Sequence, residues 1–234
     1  MPERPGGALA KRPLQFIYVV DCSGSMAGKK IETVNFAVRE TIPAMQTIAD
    51  DNPTAEVLVR VIKFSDGAQW AVSQPTEVHA FKWIDLNAGG VTDMGAAFKL
   101  LSEALDIKNM PQRGLPPVLV LMTDGQPTDD FKSGLKGLMD QPWGSRAVRV
   151  GIAIGDDADL SVLQEFIGNS EVKPLTAANV QDLVNKIKWA STVPLKAASS
   201  PASRSTTDSK NGASNVAIPA PPPALQAVST ADVF

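Results

Sequence analysis

The chain has 234 residues, 44% of them hydrophobic, and a formal net charge of -3 from 22 basic and 25 acidic side chains. That is enough apolar material for one compact core with some chain left over. The near balance of charge argues against nucleic acid or an anionic membrane as a general target, and no apolar run approaches the roughly 20 residues that span a bilayer. Cys22 is the single cysteine, so it can form no disulfide within the chain, which fits a reducing compartment. Residues 1–12 lack the apolar core of a secretory signal, and the expectation is a cytoplasmic protein.

Residues 1–12, with their prolines, glycines and charges, read as a flexible N-terminus. Residues 16–20, all apolar, give the first strand, and 57–62 the second. The turn at Asp66-Gly67 leads to a short stretch at 69–72 that suits an antiparallel edge strand. Residues 118–122 and 148–154 supply two further apolar strands. Uninterrupted apolar runs of this length mark strands buried on both faces, as in a parallel sheet covered by helices.

Between the strands the spacing is helical. Ile31, Val34, Val38, Ile42, Met45 and Ile48 recur at threes and fours, with Pro43 expected to kink or divide that helix. Ala97, Leu101 and Leu105 mark a second helix, Phe131, Leu135 and Leu138 a third, and Leu160, Leu163 and Ile167 a fourth. Val180, Leu183, Val184 and Ile187 mark a last helix, expected to end near Trp189. From 191 to 234 the chain is dominated by Ala, Ser, Pro and Thr, and is expected to be a disordered tail after a domain at 13–190. The alternative for residues 225–234 is a short docking motif.

Alternating strands and helices imply a doubly wound, mostly parallel α/β sheet flanked by helices. Ligands of such sheets gather at the carboxyl ends of the strands. After the first strand come Asp21, Ser23 and Ser25, at every second position. In an extended stretch that spacing would turn all three to one side. After the third buried strand comes Asp124, and the loop Gly89-Gly90-Val91-Thr92-Asp93 brings another hydroxyl. Carboxylates and hydroxyls without His or Cys are hard oxygen ligands. They suit Mg²⁺, with Mn²⁺ or Ca²⁺ as alternatives. A cation held largely by neutral hydroxyls keeps enough charge to accept an Asp or Glu from a protein partner.

Asp21-x-Ser23-x-Ser25, Thr92 and Asp124, in this order and each in its own loop, resemble the metal-ion-dependent adhesion site (MIDAS) of von Willebrand factor A (vWA) domains. The resemblance runs over about residues 14–189. It implies a Rossmann-like sheet with a metal at its top, Ser23, Ser25 and Thr92 as hydroxyl ligands, and Asp21 and Asp124 closing the shell. Val91 departs from the commoner direct Gly-Thr junction. More narrowly, Arg12-Pro13-Leu14, Lys30-Ile31, Val34-Asn35, Ile42-Pro43-Ala44-Met45 and Thr123-Asp124-Gly125-Gln126-Pro127-Thr128-Asp129 look like the TerY-like, tellurite-resistance branch. Proteins of that branch are often encoded with a PP2C-type phosphatase and a protein kinase. This implies a bacterial stress-response or phosphosignalling scaffold, with no nucleic acid or membrane partner.

Other residues have plainer readings. Cys22 should point into the core as an inert thiol, and His79 should lie on the surface. Lys29-Lys30 should open the first helix as a solvated face. Asp156, Asp157 and Asp159 suit a helix N-terminus, and Trp70, Trp83, Trp143 and Trp189 suit packing. An enzymatic alternative is a Mg²⁺-dependent phosphohydrolase of haloacid dehalogenase type. It needs a second acid two residues after Asp21, where this chain has Ser23. A phosphate-binding loop of the Gly-x-x-x-x-Gly-Lys-Ser/Thr kind is absent from the sequence. The expectation is therefore a binding module and not an enzyme.

Overall fold

The computed structural model describes residues 11–155, 158–177, 179–199 and 219–220. Six strands form one sheet in the order β3-β2-β1-β4-β5-β6. They are β1 Arg12–Asp21, β2 Ala55–Ser65, β3 Gly67–Glu77, β4 Val118–Thr123, β5 Val148–Ile154 and β6 Leu175–Ala177. All neighbours pair in parallel except β2 and β3, which form an antiparallel hairpin at the edge. The edge strand expected at 69–72 is thus present and longer. β6 has three residues and was not expected.

The helices are α1 Lys29–Asp50, α2 Met94–Ala104, α3 Phe131–Asp140, α4 Pro142–Arg146, α5 Leu160–Ile167 and α6 Val180–Ser199. They divide between the two faces of the sheet, and β1 shows why its run is apolar throughout. Leu14, Phe16, Tyr18, Val20 and Cys22 enter the core shared with α1 and α6, through Val34, Val38, Met45, Leu183 and Ile187. Ile17 and Val19 enter the other core, with Phe98 of α2, Phe131 of α3 and Phe166 of α5. Phe98 stacks on Phe166 at 5.4 Å between ring centres and meets Phe131 at 5.6 Å. Between Phe16 and Val20 each face of the strand is closed by helix side chains, which is why that stretch is without charged residues.

Of the kink or division expected at Pro43, the division is absent, since α1 runs as one helix of 22 residues. Pro43 cannot donate to the Arg39 carbonyl, but both residues are exposed, so water can reach the orphaned oxygen. The last helix does not end near Trp189 and residues 191–199 are not tail: α6 continues to Ser199, with Ser191, Leu195 and Ala198 buried. The Ser191 hydroxyl lies 2.7 Å from the Tyr18 hydroxyl, which also points at the Met45 sulfur at 3.3 Å. Ile187, Ser191 and Leu195 continue the four-residue spacing, which the Ala, Ser and Thr composition conceals. The expectations for residues 1–10 and for the remainder of the tail lie outside the described residues, apart from 219–220. Among the described residues no helix is long and apolar enough to cross a membrane.

Candidate metal centre at the strand ends

The chain leaves β1 toward β2 on one side and returns to β4 on the other. The carboxyl ends of β1 and β4 therefore flank the topological switch point, where a crevice opens. Asp21 is the last residue of β1, and Asp124 follows the last residue of β4. Both are buried, at 0% and 3% exposure. The third loop reaches the same place by backbone pairing: the Gly89 N–H donates to the Cys22 carbonyl at 2.8 Å, and the Gly24 N–H to the Gly90 carbonyl at 2.9 Å. A side chain at position 24 would stand 3.3 Å from that carbonyl, so the close approach of the two loops suits glycine.

The five expected residues do converge, but not by strand alternation. β1 ends at Asp21, and Gly24–Met26 form a 3-10 turn. This turn folds Ser25 back so that its Oγ lies 3.0 Å from Ser23 Oγ. Ser25 Oγ donates to Asp124 Oδ1 at 2.8 Å, so the Ser23 hydroxyl supplies the proton between the serines. Thr92 is 7% exposed. A Cβ placed on Gly125 would stand 3.8 Å from Ser25 Oγ and 3.9 Å from Thr92 Oγ1. The missing side chain of Gly125 thus leaves a recess bordered by hydroxyls from two separate loops. Val91, which separates Gly90 from Thr92, is 47% exposed and turns outward.

Asp21 is held from both sides. Its Oδ1 accepts the Ser23 N–H at 2.8 Å and its Oδ2 accepts the Thr123 hydroxyl at 2.5 Å. Burial raises its pKa above the ordinary carboxylate range; the Thr123 and Ser23 hydrogen bonds oppose this, and the charge of Asp124 adds to it. Cys22 points away from the recess into the core, as expected, at 2% exposure. Burial chiefly, then the Asp21 charge, pushes its thiol up to about 12.

Sequence reasoning missed two members. Thr123 closes the second oxygen of Asp21. Lys30 is not part of a solvated face: its Nζ lies 2.7 Å from Asp124 Oδ2, with the lysine side chain 16% and the aspartate side chain 0% exposed. A carboxylate this deep requires a counter-charge, and the long lysine stem supplies it. No spacing signal connects positions 94 residues apart.

The other plain readings hold where the structure describes them. Asp159 caps α5, accepting the Ser161 N–H at 2.8 Å. Its hydrogen bonds to Ser161 hold its pKa below the usual value. Asp156 and Asp157 lie outside the described residues. The four tryptophans are half-buried and His79 is exposed. The neighbour of His79, Val78, donates to the Val57 carbonyl, and Val57 pairs with Leu14. At ~3.3 Å per residue, His79 is about 23 Å along β1 from Asp21, too far for the two to act together.

The donor set fits a hard divalent cation. Among the described residues, no group of three or more His, Cys, Asp or Glu side chains is placed to hold a metal. A cation at this crevice would have to use hydroxyls beside its carboxylates, as the recess over Gly125 offers. The charges of Asp21, Asp124 and Lys30 sum to one negative charge. A divalent ion reverses that sign and makes the site attractive to an incoming carboxylate.

A family model described as the von Willebrand factor type A domain matches residues 17–188. Human inter-alpha-trypsin inhibitor heavy chain H6 is 29% identical over 165 residues, which are 64% of this chain and 12% of that protein. Mouse inter-alpha-trypsin inhibitor heavy chain 4 is 33% identical over 123 residues, 48% of this chain and 12% of that protein. The chain therefore spans only a small part of these relatives' length. Among solved structures, VWA2 of Sulfolobus acidocaldarius, an ArnB paralog, superposes with a TM-score of 0.56 at 14% identity, over 78% of this chain and 46% of that one. Proximal thread matrix protein 1 from the mussel byssus, with a zinc-occupied MIDAS motif, gives 0.59 at 16% identity, over 80% and 49%. At these identities the superpositions speak for the fold alone.

Proposed function

Because the chain belongs to the von Willebrand factor type A domain family, we propose that it is a non-enzymatic module that binds a protein partner through a divalent cation. The observation that carries this reading is the Ser23–Ser25–Asp124 chain of hydrogen bonds beside the hydroxyl-lined recess at Gly125. Ser23, Ser25 and Thr92 would hold the cation by their hydroxyls, with Asp21 and Asp124 completing the shell. When bound, the cation supplies an open coordination position for an Asp or Glu of the partner. The zinc-occupied MIDAS of the mussel byssus protein supports a divalent metal. Mg²⁺ is the first choice by ligand hardness, ahead of Mn²⁺ and Ca²⁺.

The phosphohydrolase alternative finds no support in the geometry. Ser23 stands where that mechanism requires an acid.

The motifs around Arg12, Lys30, Pro43 and Thr123 to Asp129 support assigning the chain to the TerY-like branch. On that assignment it acts in the bacterial cytoplasm as a stress-response or tellurite-resistance scaffold, and its acidic partner is a PP2C-type phosphatase or a protein kinase. The test is thermal unfolding of the full chain with Mg²⁺, Mn²⁺ or Ca²⁺, beside Asp21→Ala and Ser23→Ala. A cation that binds only the folded state stabilises it, by ~2.7 kcal/mol at one hundred times its Kd. A rise in Tm that both substitutions remove is the expected result. No rise at millimolar cation, or a rise that survives in both variants, overturns the reading.

A further inference from the structure

Thr92 lies in a stretch with no regular structure of its own, since residues 81–93 belong to neither helix nor strand. A ligand on such a loop binds well only if something outside the loop fixes it. The structure shows what does so. The Thr92 N–H donates to Thr128 Oγ1 at 3.0 Å, and the Thr92 carbonyl accepts the Thr128 N–H at 2.9 Å. Both backbone groups of Thr92 are thus matched to one residue, leaving its hydroxyl for the recess. The Thr128 hydroxyl goes on to donate to Asp93 Oδ1 at 3.2 Å. Asp93 is in turn tied to the β2–β3 turn: its Oδ2 accepts the Gly67 N–H at 2.8 Å and its own N–H donates to Ser65 at 3.0 Å.

Asp129 completes the clamp. The residue preceding α2, Asp93, makes no side-chain cap to its own helix. Asp129 Oδ1 instead accepts the Gly95 N–H, and its Oδ2 the Ala96 N–H, both at 2.8 Å. A carboxylate from a different loop therefore takes up two of the orphan donors at the positive end of α2. The helices beneath are pressed together: a Cβ on Gly134 of α3 would stand 2.6 Å from the Gly95 carbonyl, and one on Gly95 would stand 2.6 Å from the Asp130 carbonyl. Only glycine at these two positions allows the backbones to approach so closely.

Thr128 and Asp129 belong to the same loop as Asp124. We propose that they are positioning residues which lock the Thr92 loop to the Asp124 loop, so that the Thr92 hydroxyl and the Asp124 carboxylate meet the cation as one preformed unit. This rests on the metal-dependent reading above and deepens it. It separates the ligands from the groups that aim them. The competing view is that Thr128 and Asp129 only stabilise α2 and leave cation binding untouched.

The test compares Mn²⁺ affinity, by isothermal titration well below each Tm, in the full-length wild type and in Thr128→Val, Thr128→Ser, Asp129→Asn and Asp129→Ala. Groups that orient metal ligands typically cost 10–100-fold in affinity when lost. That loss is expected for Thr128→Val and Asp129→Ala. Thr128→Ser, which keeps the hydroxyl, should return to within about threefold of wild type. Asp129→Asn, which keeps one acceptor oxygen, should fall between. Thr128 is exposed, so its substitution does not open the core. Variants with a lower cation-free Tm but wild-type affinity would overturn the proposal and leave only the structural role. A reading independent of any variant is hydrogen exchange in the cation-free wild type: the Thr92 amide should be protected to the same degree as the amides of α2, and free exchange there overturns the clamp. If wild type itself binds no Mn²⁺, the metal-dependent reading fails and takes this one with it. If wild type binds and all four variants match it, this proposal fails alone.

Discussion

Lys30 Nζ sits 2.7 Å from Asp124 Oδ2, on the oxygen opposite the one that accepts the Ser25 hydroxyl. One carboxylate thus joins the first helix to the hydroxyl chain of the crevice. The ammonium is both a support for the cation-free site and a charge that an incoming cation must tolerate.

Replacing Lys30 by Met separates the two effects. Asp124, with its side chain fully buried, would lose its counter-charge, and the cation-free protein should lose up to about 3 kcal/mol. The site would also become more negative. Removing only ~1.4 kcal/mol of repulsion raises cation affinity on the order of tenfold. Denaturant unfolding without cation and Mn²⁺ titration of the same variant read the two quantities. Affinity that is unchanged or weaker would show that the lysine does not oppose the ion.

Asp21 gives the site a pH dependence with a definite sign. Its folded-state pKa is raised, chiefly by burial. In the cation-free protein an ionised Asp21 therefore opposes folding at neutral pH, and the penalty is relieved as pH falls from the folded toward the unfolded value. Protons and cation compete for the same oxygens, so Mn²⁺ affinity should begin to fall at a pH above the ordinary aspartate value of about 3.9. Asp21→Asn should abolish cation binding and remove this part of the cation-free stability profile. Titrations at a series of pH values down to about 4 check it. An affinity that stays flat over that range contradicts the assignment.

Cys22 is predicted to be inert despite its position between two site residues. It is 2% exposed, and its thiol is pushed up to about 12, so little thiolate exists at neutral pH. A thiol-specific disulfide reagent should react with the native chain only at the rate of unfolding, and quickly in denaturant. Rapid labelling of the native protein would reverse the reading.

What the sequence revealed and what it hid follow from range. β1, β4 and β5 were legible because burial on both faces leaves an unbroken apolar run, as in Phe16 to Val20. Asp21 and Asp124 were legible because strand ends in a doubly wound sheet have a known place. Ser23 and Ser25 were found for an incomplete reason, since a 3-10 turn and not strand alternation brings them together. Lys30, Thr123 and the Thr128–Asp129 pair drew no roles from the sequence because those roles arise between loops. Asp129, for instance, caps a helix that begins 35 residues before it in sequence, at Met94. β6 was too short to leave a period, and residues 191–199 were masked by their composition.

That last segment yields the most direct check on the extended α6. Tyr18 and Ser191 are both fully buried and share a hydrogen bond of 2.7 Å, with the tyrosine phenol shifted well above its usual pKa by burial. Tyr18→Phe alone would leave the Ser191 hydroxyl without this partner, and Ser191→Ala alone would leave the phenol with only the Met45 sulfur. Each should cost about 1–3 kcal/mol, because a buried polar group left unsatisfied carries its desolvation penalty. Removing both leaves no stranded group, so the double variant should be markedly less destabilised than the sum of the two. Urea unfolding of the four proteins gives the coupling energy, expected at about 1 kcal/mol or more. Strict additivity would mean that the helix beyond Trp189 does not dock on β1, and that the domain ends where its composition changes.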